Sequence, residues 1–253
     1  MIRYVVSCLY KQANTIMYIG AIYLMTMKEA MKERHTVRKY KNKDIPADIV
    51  SCLKERIADN NKVHGLNLAL VTHNSEGLSG IAKMILARGV NNYFILAGTE
   101  TLDLDEKLGY CGTDLILYAQ TMGLNTWWVG GMFNKKGAQK NLAMDHVKIN
   151  GIIAVGYGET QGVPHKSKVA TEISEYKGSV VPQWFKNGVE ALLLAPTALN
   201  KQAFKVIGEG KQVQITYGNG HLSGVDLGIG KYHFALGAGE ENFEWKTENP
   251  RLV

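Results

Sequence analysis

One unit occurs twice in this 253-residue chain, and that repetition narrows the folds open to it more than any other feature. Gly112-Thr113-Asp114-Leu115 and Gly224-Val225-Asp226-Leu227 share a four-residue pattern. Each closes the same succession of elements: helix, loop, strand, strand, then a Gly-x-Asp-Leu helix. In the first copy the alternating run Leu66–Thr72 and the apolar run Asn92–Gly98 read as strands ahead of a long helix, Asp103–Met122, closed by Gly123. In the second copy Pro182–Leu194 reads as a helix, Ala203–Ile207 and Gln212–Tyr217 as strands, and Ser223–Ala238 as the final helix. Between them stand a short strand at Thr126–Val129, a helix at Lys135–Met144 and a buried strand at Asn150–Gly156. Asp48–Asn60 is predicted as an amphipathic helix, Ser79–Ala87 as a short one, and Pro164–Lys177 as a charged loop. The mixture predicts an α+β fold.

Composition agrees with a folded body. Hydrophobic residues make up 45% and charged residues 21%, which excludes a disordered or fibrous chain. Twenty-seven glycines against five prolines point to tight turns and close backbone approaches, not linkers. The net charge of +6 is mild and spread out, and favours an anionic ligand such as a phosphorylated cofactor. No stacking sheet or recognition-helix signature accompanies it, so nucleic acid is not the expected partner. Three cysteines at wide spacing (Cys8, Cys52, Cys111) form no disulfide framework and no C-x-x-C pair. Reduced thiols in a cytoplasmic protein are expected. The seven histidines show no metal-ligand spacing, and no metal is expected.

Residues 1–26 differ from the rest. The uncharged run Thr15–Met27 is thirteen residues long, short of the ~20 that span a bilayer. This segment reads as an N-terminal extension or as sequence upstream of a true start at Met25 or Met27. No membrane association is expected.

Four segments carry candidate chemistry. In Arg34-His35-Thr36-Val37-Arg38, alternation in an extended chain places Arg34, Thr36 and Arg38 on one face, a donor set suited to a phosphate. In Ala195-Pro196-Thr197-Ala198-Leu199-Asn200-Lys201-Gln202 the proline breaks a helix, and the amides of Asn200 and Gln202 suit the edge of a heteroaromatic ring. In Trp127-Trp128-Val129-Gly130-Gly131 the glycines let a planar ligand approach the main chain, and Trp128 can stack on it. Gly156-Tyr157-Gly158 leads to His165-Lys166-Ser167-Lys168, a second phosphate contact through Lys166 and Lys168. Taken alone, each segment also reads blandly: a solvated basic strand, an Asn/Thr turn, core aromatics before a turn, a charged surface loop.

Together the four resemble the nitroreductase family of flavoproteins across about residues 28–253. That family carries Arg-x-Ser/Thr-x-Arg, Ala-Pro-Ser/Thr-x-x-Asn-x-Gln, a Gly-Leu helix end running into a glycine turn (here Gly123–Phe133), and a late strand ending in Gly-Tyr with a basic loop. The order departs from the family. The Pro-Thr-Asn-Gln segment ordinarily follows the arginine motif by a few dozen residues, where this chain has Asn60-Asn61-Lys62-Val63-His64-Gly65. The resemblance implies a fused, diverged dimer: two pseudo-repeats in one chain, 27–168 and 169–253, mimicking the usual homodimer. It implies one FMN per chain, with Arg34, His35, Thr36, Arg38, Lys166 and Lys168 toward the phosphate. Pro196, Thr197, Asn200 and Gln202 would hold the ring edge, and Trp128, Gly130 and Gly131 would lie along the ring. It further implies electron transfer from NADH or NADPH to a small organic acceptor, nitro compounds or quinones among them, by a monomer, with no side chain acting as acid or base. The alternative is a flavin-binding protein without turnover.

Overall fold

A computed structural model describes residues 25–246 except 143 and 145, so the expectations for residues 1–24 and 247–253 lie outside it. The described residues begin with α1 (Met27–Glu33), whose start is set by Thr26. The Thr26 hydroxyl accepts from the Glu29 N–H, and the Glu29 carboxylate accepts from the Thr26 N–H at 2.7 Å, a reciprocal cap. Helix α2 (Ala47–His64) follows Pro46 and ends on Gly65 at φ 66°, a left-handed residue that suits glycine. Strands β1 (Ala69–Val71) and β2 (Tyr93–Gly98) pair antiparallel with Ala69 opposite Ile95. Helix α3 (Leu104–Thr121), β3 (Asn125–Val129), the short α4 (Lys135–Gln139) and β4 (Lys148–Gly156) complete the first half. Its sheet has the order β1-β2-β4-β3, antiparallel throughout.

The second half runs α5 (Ala170–Ile173), β5 (Ser174–Tyr176), α6 (Gln183–Leu192), β6 (Phe204–Glu209), β7 (Gln212–Tyr217), α7 (Ser223–Ala238) and β8 (Glu244–Trp245). Its sheet has the order β5-β6-β7-β8. The central pair is antiparallel, whereas both edge strands run parallel to their neighbours. The order helix, antiparallel strand pair, long helix therefore occurs twice, as α2-β1-β2-α3 and as α6-β6-β7-α7. The two sheets differ in their edges.

Helices α3 and α7 pack against each other. A Cβ on Gly109 would overlap the Val225 carbonyl, and one on Gly228 would overlap that of Glu106, so this contact is backbone on backbone. The repeated aspartates are both buried but take different partners. The first binds side chains within the first helix of its copy and the second a backbone N–H beyond it. Asp114 accepts from Arg56 and Asn60 at the end of α2, and Asp226 accepts from the Ala198 N–H beyond α6. The close glycine contact pairs Gly109 with Gly228, seven residues from the Gly112–Gly224 register.

Several expectations need correction. Residues 164–177 contain α5 and β5 instead of an unbroken loop. The 135–144 helix stops at Gln139, and Gly137 within it sits directly against the Glu76 carbonyl. Ser79–Ala87 is a short helix as expected, but of π type over Ala82–Leu86. Cys111 is a buried free thiol, as expected. Among the described residues no helix is long and apolar enough to cross a membrane.

Candidate functional site

Residues 34–40 follow α1 directly. Their burial does not alternate: Arg34, Val37 and Tyr40 are buried, while Thr36 and Arg38 are exposed. Pairing is limited to single bridges, Thr36 with Thr126, Lys39 with Arg88, and Tyr40 with Gly158. The segment is thus not a ladder strand; Thr36 and Arg38 are exposed on either side of the buried Val37, and Arg34, buried, does not share their surroundings as expected. The two arginines have different surroundings. Arg38 lies over the Trp127 ring at 5.5 Å. Arg34 is 5% exposed, and its Nε has no partner.

That buried guanidinium is electrostatically odd. Burial lowers its pKa to about 10. His165 and His233 lie close enough for its charge to depress both, and His35 feels it too. His233, fully buried on α7, is lowered to about 3, first by burial and then by Arg34 and His165. Its Nδ1 donates to the Ile229 carbonyl at 2.9 Å, which leaves Nε2 as a buried acceptor without a donor. The hydroxyl of Thr126, the residue that bridges Thr36, is also buried without a partner. Native proteins leave few such atoms unsatisfied, and here three gather around one basic segment.

The 195–202 segment comes to the basic loop as the sequence reading brought both into one site, but the contacts are protein to protein. The Gln202 amide, 2% exposed, donates to the Lys166 carbonyl at 2.8 Å and accepts from the Lys168 N–H at 3.0 Å. Asn200 donates to the same Lys166 carbonyl at 2.9 Å. Thr197 accepts from the Gln202 N–H at 3.0 Å. His165 Nε2 donates to the Leu193 carbonyl at 3.1 Å, adding a stitch between loop and helix end. Leu199, Asn200 and Gln202 all have φ between 44° and 54°, left-handed values that cost non-glycine residues about 1 kcal/mol or more each. The cluster of strain persists because Asp226, Thr197 and the Gln202 bridge hold the turn from three sides. The side chains of Lys166 and Lys168 are left exposed, and Pro196 is half-buried just beyond α6.

Trp128 is half-buried and packs over α3. A Cβ on Gly112 would lie 2.5 Å from its ring, so the ring's seat requires that glycine. Gly130 abuts Leu222 at the start of α7, while Gly131 faces open space and leaves its main chain approachable. The structure thus gathers Arg34, His35, His165 and His233 into one basic cluster and joins Lys166 and Lys168 to Asn200 and Gln202. Arg38 stands apart over Trp127. Sequence reasoning missed His233 and the structural part of Asp226. The signal for His233 was a basic residue between Tyr232 and the apolar Phe234-Ala235-Leu236 stretch of a helix.

The model of the family described as Putative TM nitroreductase matches residues 26–238, well over half of the chain. Among solved structures, the putative nitroreductase of Thermotoga maritima is 22% identical with a TM-score of 0.61, over 93% of this chain and 95% of that one. A nitroreductase-like protein from Streptococcus mutans is 15% identical over 58% of this chain and 96% of its own, with a TM-score of 0.49. A putative nitroreductase from Desulfovibrio desulfuricans, solved in complex with FMN, is 14% identical over 58% of this chain and 94% of its own, with a TM-score of 0.47. No curated protein matches the chain. The arginine segment, the glycine turn after β3 and the Ala195–Gln202 segment stand within the matched residues, and the chain belongs to this nitroreductase family.

Proposed function

We propose that this chain is an FMN-dependent oxidoreductase that takes electrons from NADH or NADPH and passes them to a small organic acceptor. The observation that carries the reading is Arg34: a buried guanidinium with an unpartnered Nε, beside three histidines. A buried charge without a counter-charge costs several kcal/mol, and a phosphate monoester supplies the missing anion. The residues present fit that group. Arg34 offers an N–H donor, Thr126 a hydroxyl, and His233 an imidazole that becomes a donor once an anion raises its pKa. Thr36 and the exposed Lys166 and Lys168 add outer donors on the same loops.

The flavin, when bound, supplies the hydride and electron chemistry. The protein's part is placement. Arg34 fixes the phosphate end at the close of α1. The open main chain at Gly131, with Gly130, would offer N–H donors to a bound ring that gains negative charge on reduction. Trp128, seated over Gly112, limits how far a ring can slide toward the core. The 195–202 turn, pinned by Asp226, would meet the cofactor from the second half of the chain. No side chain here needs to move a proton. The chain is read as a monomer of the cytoplasm whose halves, 27–168 and 169–253, build one site between them.

The test is an FMN titration followed by visible absorption and melting temperature, then anaerobic addition of NADH or NADPH. Arg34→Gln should weaken FMN at least tenfold, and Arg38→Ala should weaken it less. Unchanged affinity in Arg34→Gln would overturn the phosphate assignment. Tight FMN that neither nicotinamide bleaches would favour the alternative, a flavin-binding protein without turnover.

A further inference from the structure

A cavity of about 700 Å³ lies on another face of α7, between α2, α3 and the turn after Ala238. None of Arg34, His35, His165, His233 or residues 195–202 lines it. Its size is that of a small-molecule site. Its walls include the rings of Tyr110 and Tyr232, edge to face at 4.9 Å. At its base the buried Asp114 is already satisfied. Arg56 pairs with both of its oxygens, Asn60 donates at 2.9 Å and the Tyr232 hydroxyl at 2.7 Å. That network is internally neutral, so the remaining charges set the sign.

Those are Asp59, Glu240 and Glu241 against Lys28 alone, a net of two negative charges at the rim. Lys28 is partly occupied, its Nζ standing 3.5 Å from the Gly237 carbonyl. The imidazole of His64, also on the wall, is held toward its neutral form by burial. The C-terminal end of α7, with Ala235, Leu236 and Gly239 on the lining, adds the negative end of a helix dipole. Tyrosine faces attract cations as well. Carboxylates, helix end and aromatic rings all favour positive charge, and the body of the cavity is tyrosine and aliphatic surface.

We infer that this cavity is a second small-molecule site, separate from the flavin cleft, that takes an organic ammonium with an apolar body. The charged head sits toward Glu240 and Glu241, and the body lies against Tyr110 and Tyr232. The site needs no flavin, so its failure and the failure of the FMN reading are separable.

The test uses the full chain with phenethylammonium as probe, followed by calorimetry, with 2-phenylethanol and phenylacetate as neutral and anionic matches. The expected result is saturable one-to-one binding of the ammonium, at least tenfold tighter than the alcohol, with no binding of phenylacetate. The double variant Glu240→Gln, Glu241→Gln should weaken the ammonium at least fivefold while its melting temperature and FMN content stay at wild-type values. No saturable binding at millimolar ammonium, equal binding of the alcohol, or an unaffected double variant would overturn the assignment. Tyr232→Phe provides a second reading: it keeps the ring but removes one bond to Asp114, and should leave ammonium affinity within twofold.

Discussion

Arg34 and His233 are adjacent basic groups in a place where a folded chain ordinarily puts leucine. In the flavin-free protein both cost stability, because burial withholds solvent from the guanidinium and forces the imidazole to stay neutral. Two predictions follow from that cost. Replacing Arg34 with Leu should leave the flavin-free protein at least as stable as the wild type, while abolishing the rise in melting temperature that FMN gives the parent. A melt of both proteins with and without FMN checks this, and a large loss of stability without flavin would refute the idea that Arg34 is there for a ligand. The second concerns pH. His233 stays neutral in the folded chain down to about pH 3, whereas in the unfolded chain it takes a proton near 6.5. Between those values the unfolded state binds the extra proton, so stability is complete above about 6.5 and falls as the pH drops. His35, His64 and His165 are shifted the same way. From pH 7 to pH 5 His233 alone should cost about 2 kcal/mol. His233→Leu should flatten the acid side of the stability profile by that amount, and an unchanged profile would exclude His233 as its source.

At the scale of elements, contacts are carried by glycines and caps that have no slack. Gly109 and Gly228 place backbone on backbone where α3 crosses α7. Because a carbonyl cannot swing aside as a side chain would, Gly228→Ala should cost about 3 kcal/mol, the upper part of the overpacking range. Chemical denaturation measures it, and a loss below about 0.5 kcal/mol would mean that the helices do not meet so closely. Thr26→Ala removes the cap of α1 and should cost about 1 kcal/mol. It should also weaken FMN, since α1 ends at Arg34. Much of this architecture was legible in the chain. The α7 bounds, Ser223–Ala238, agree with expectation to the residue, and the three strands β2, β6 and β7 agree within about two. Periodicity and apolar runs report what a residue buries locally, and these elements are set by that. What stayed hidden was set across the fold. The single-bridge pairing of 34–40 depends on Thr126, Arg88 and Gly158. The commitment of the Gln202 amide to the 166–168 backbone depends on a loop more than thirty positions away. An Asn or Gln side chain reads the same in sequence whether it faces a ligand or a loop.

The whole molecule joins its halves through their cores as well as through α3 and α7. Ala191 and Tyr232, from the second half, sit in the same hydrophobic cluster as Leu53, Leu108 and Leu115 from the first. Trp128 packs against that cluster and also against the one under the second sheet, where it meets the neighbours of Phe204 and Ile229. The Asp114 network ties α2 to α7 through Tyr232, so a buried carboxylate has its full set of donors only when both halves are in place. Neither half has a reason to outlast the other. Unfolding the second would expose the Gly109 face of α3 and leave Asp114 short of a donor, while unfolding the first would strip α7 of its packing. Thermal unfolding of the intact chain should therefore be one cooperative transition, with calorimetric and van't Hoff enthalpies equal. FMN should move that single transition as a whole, since its proposed contacts come from both halves, and titration should saturate at one flavin per chain. Two separable transitions, with FMN shifting only one of them, would mean that the halves are independent bodies and that the cleft between them is not the flavin site.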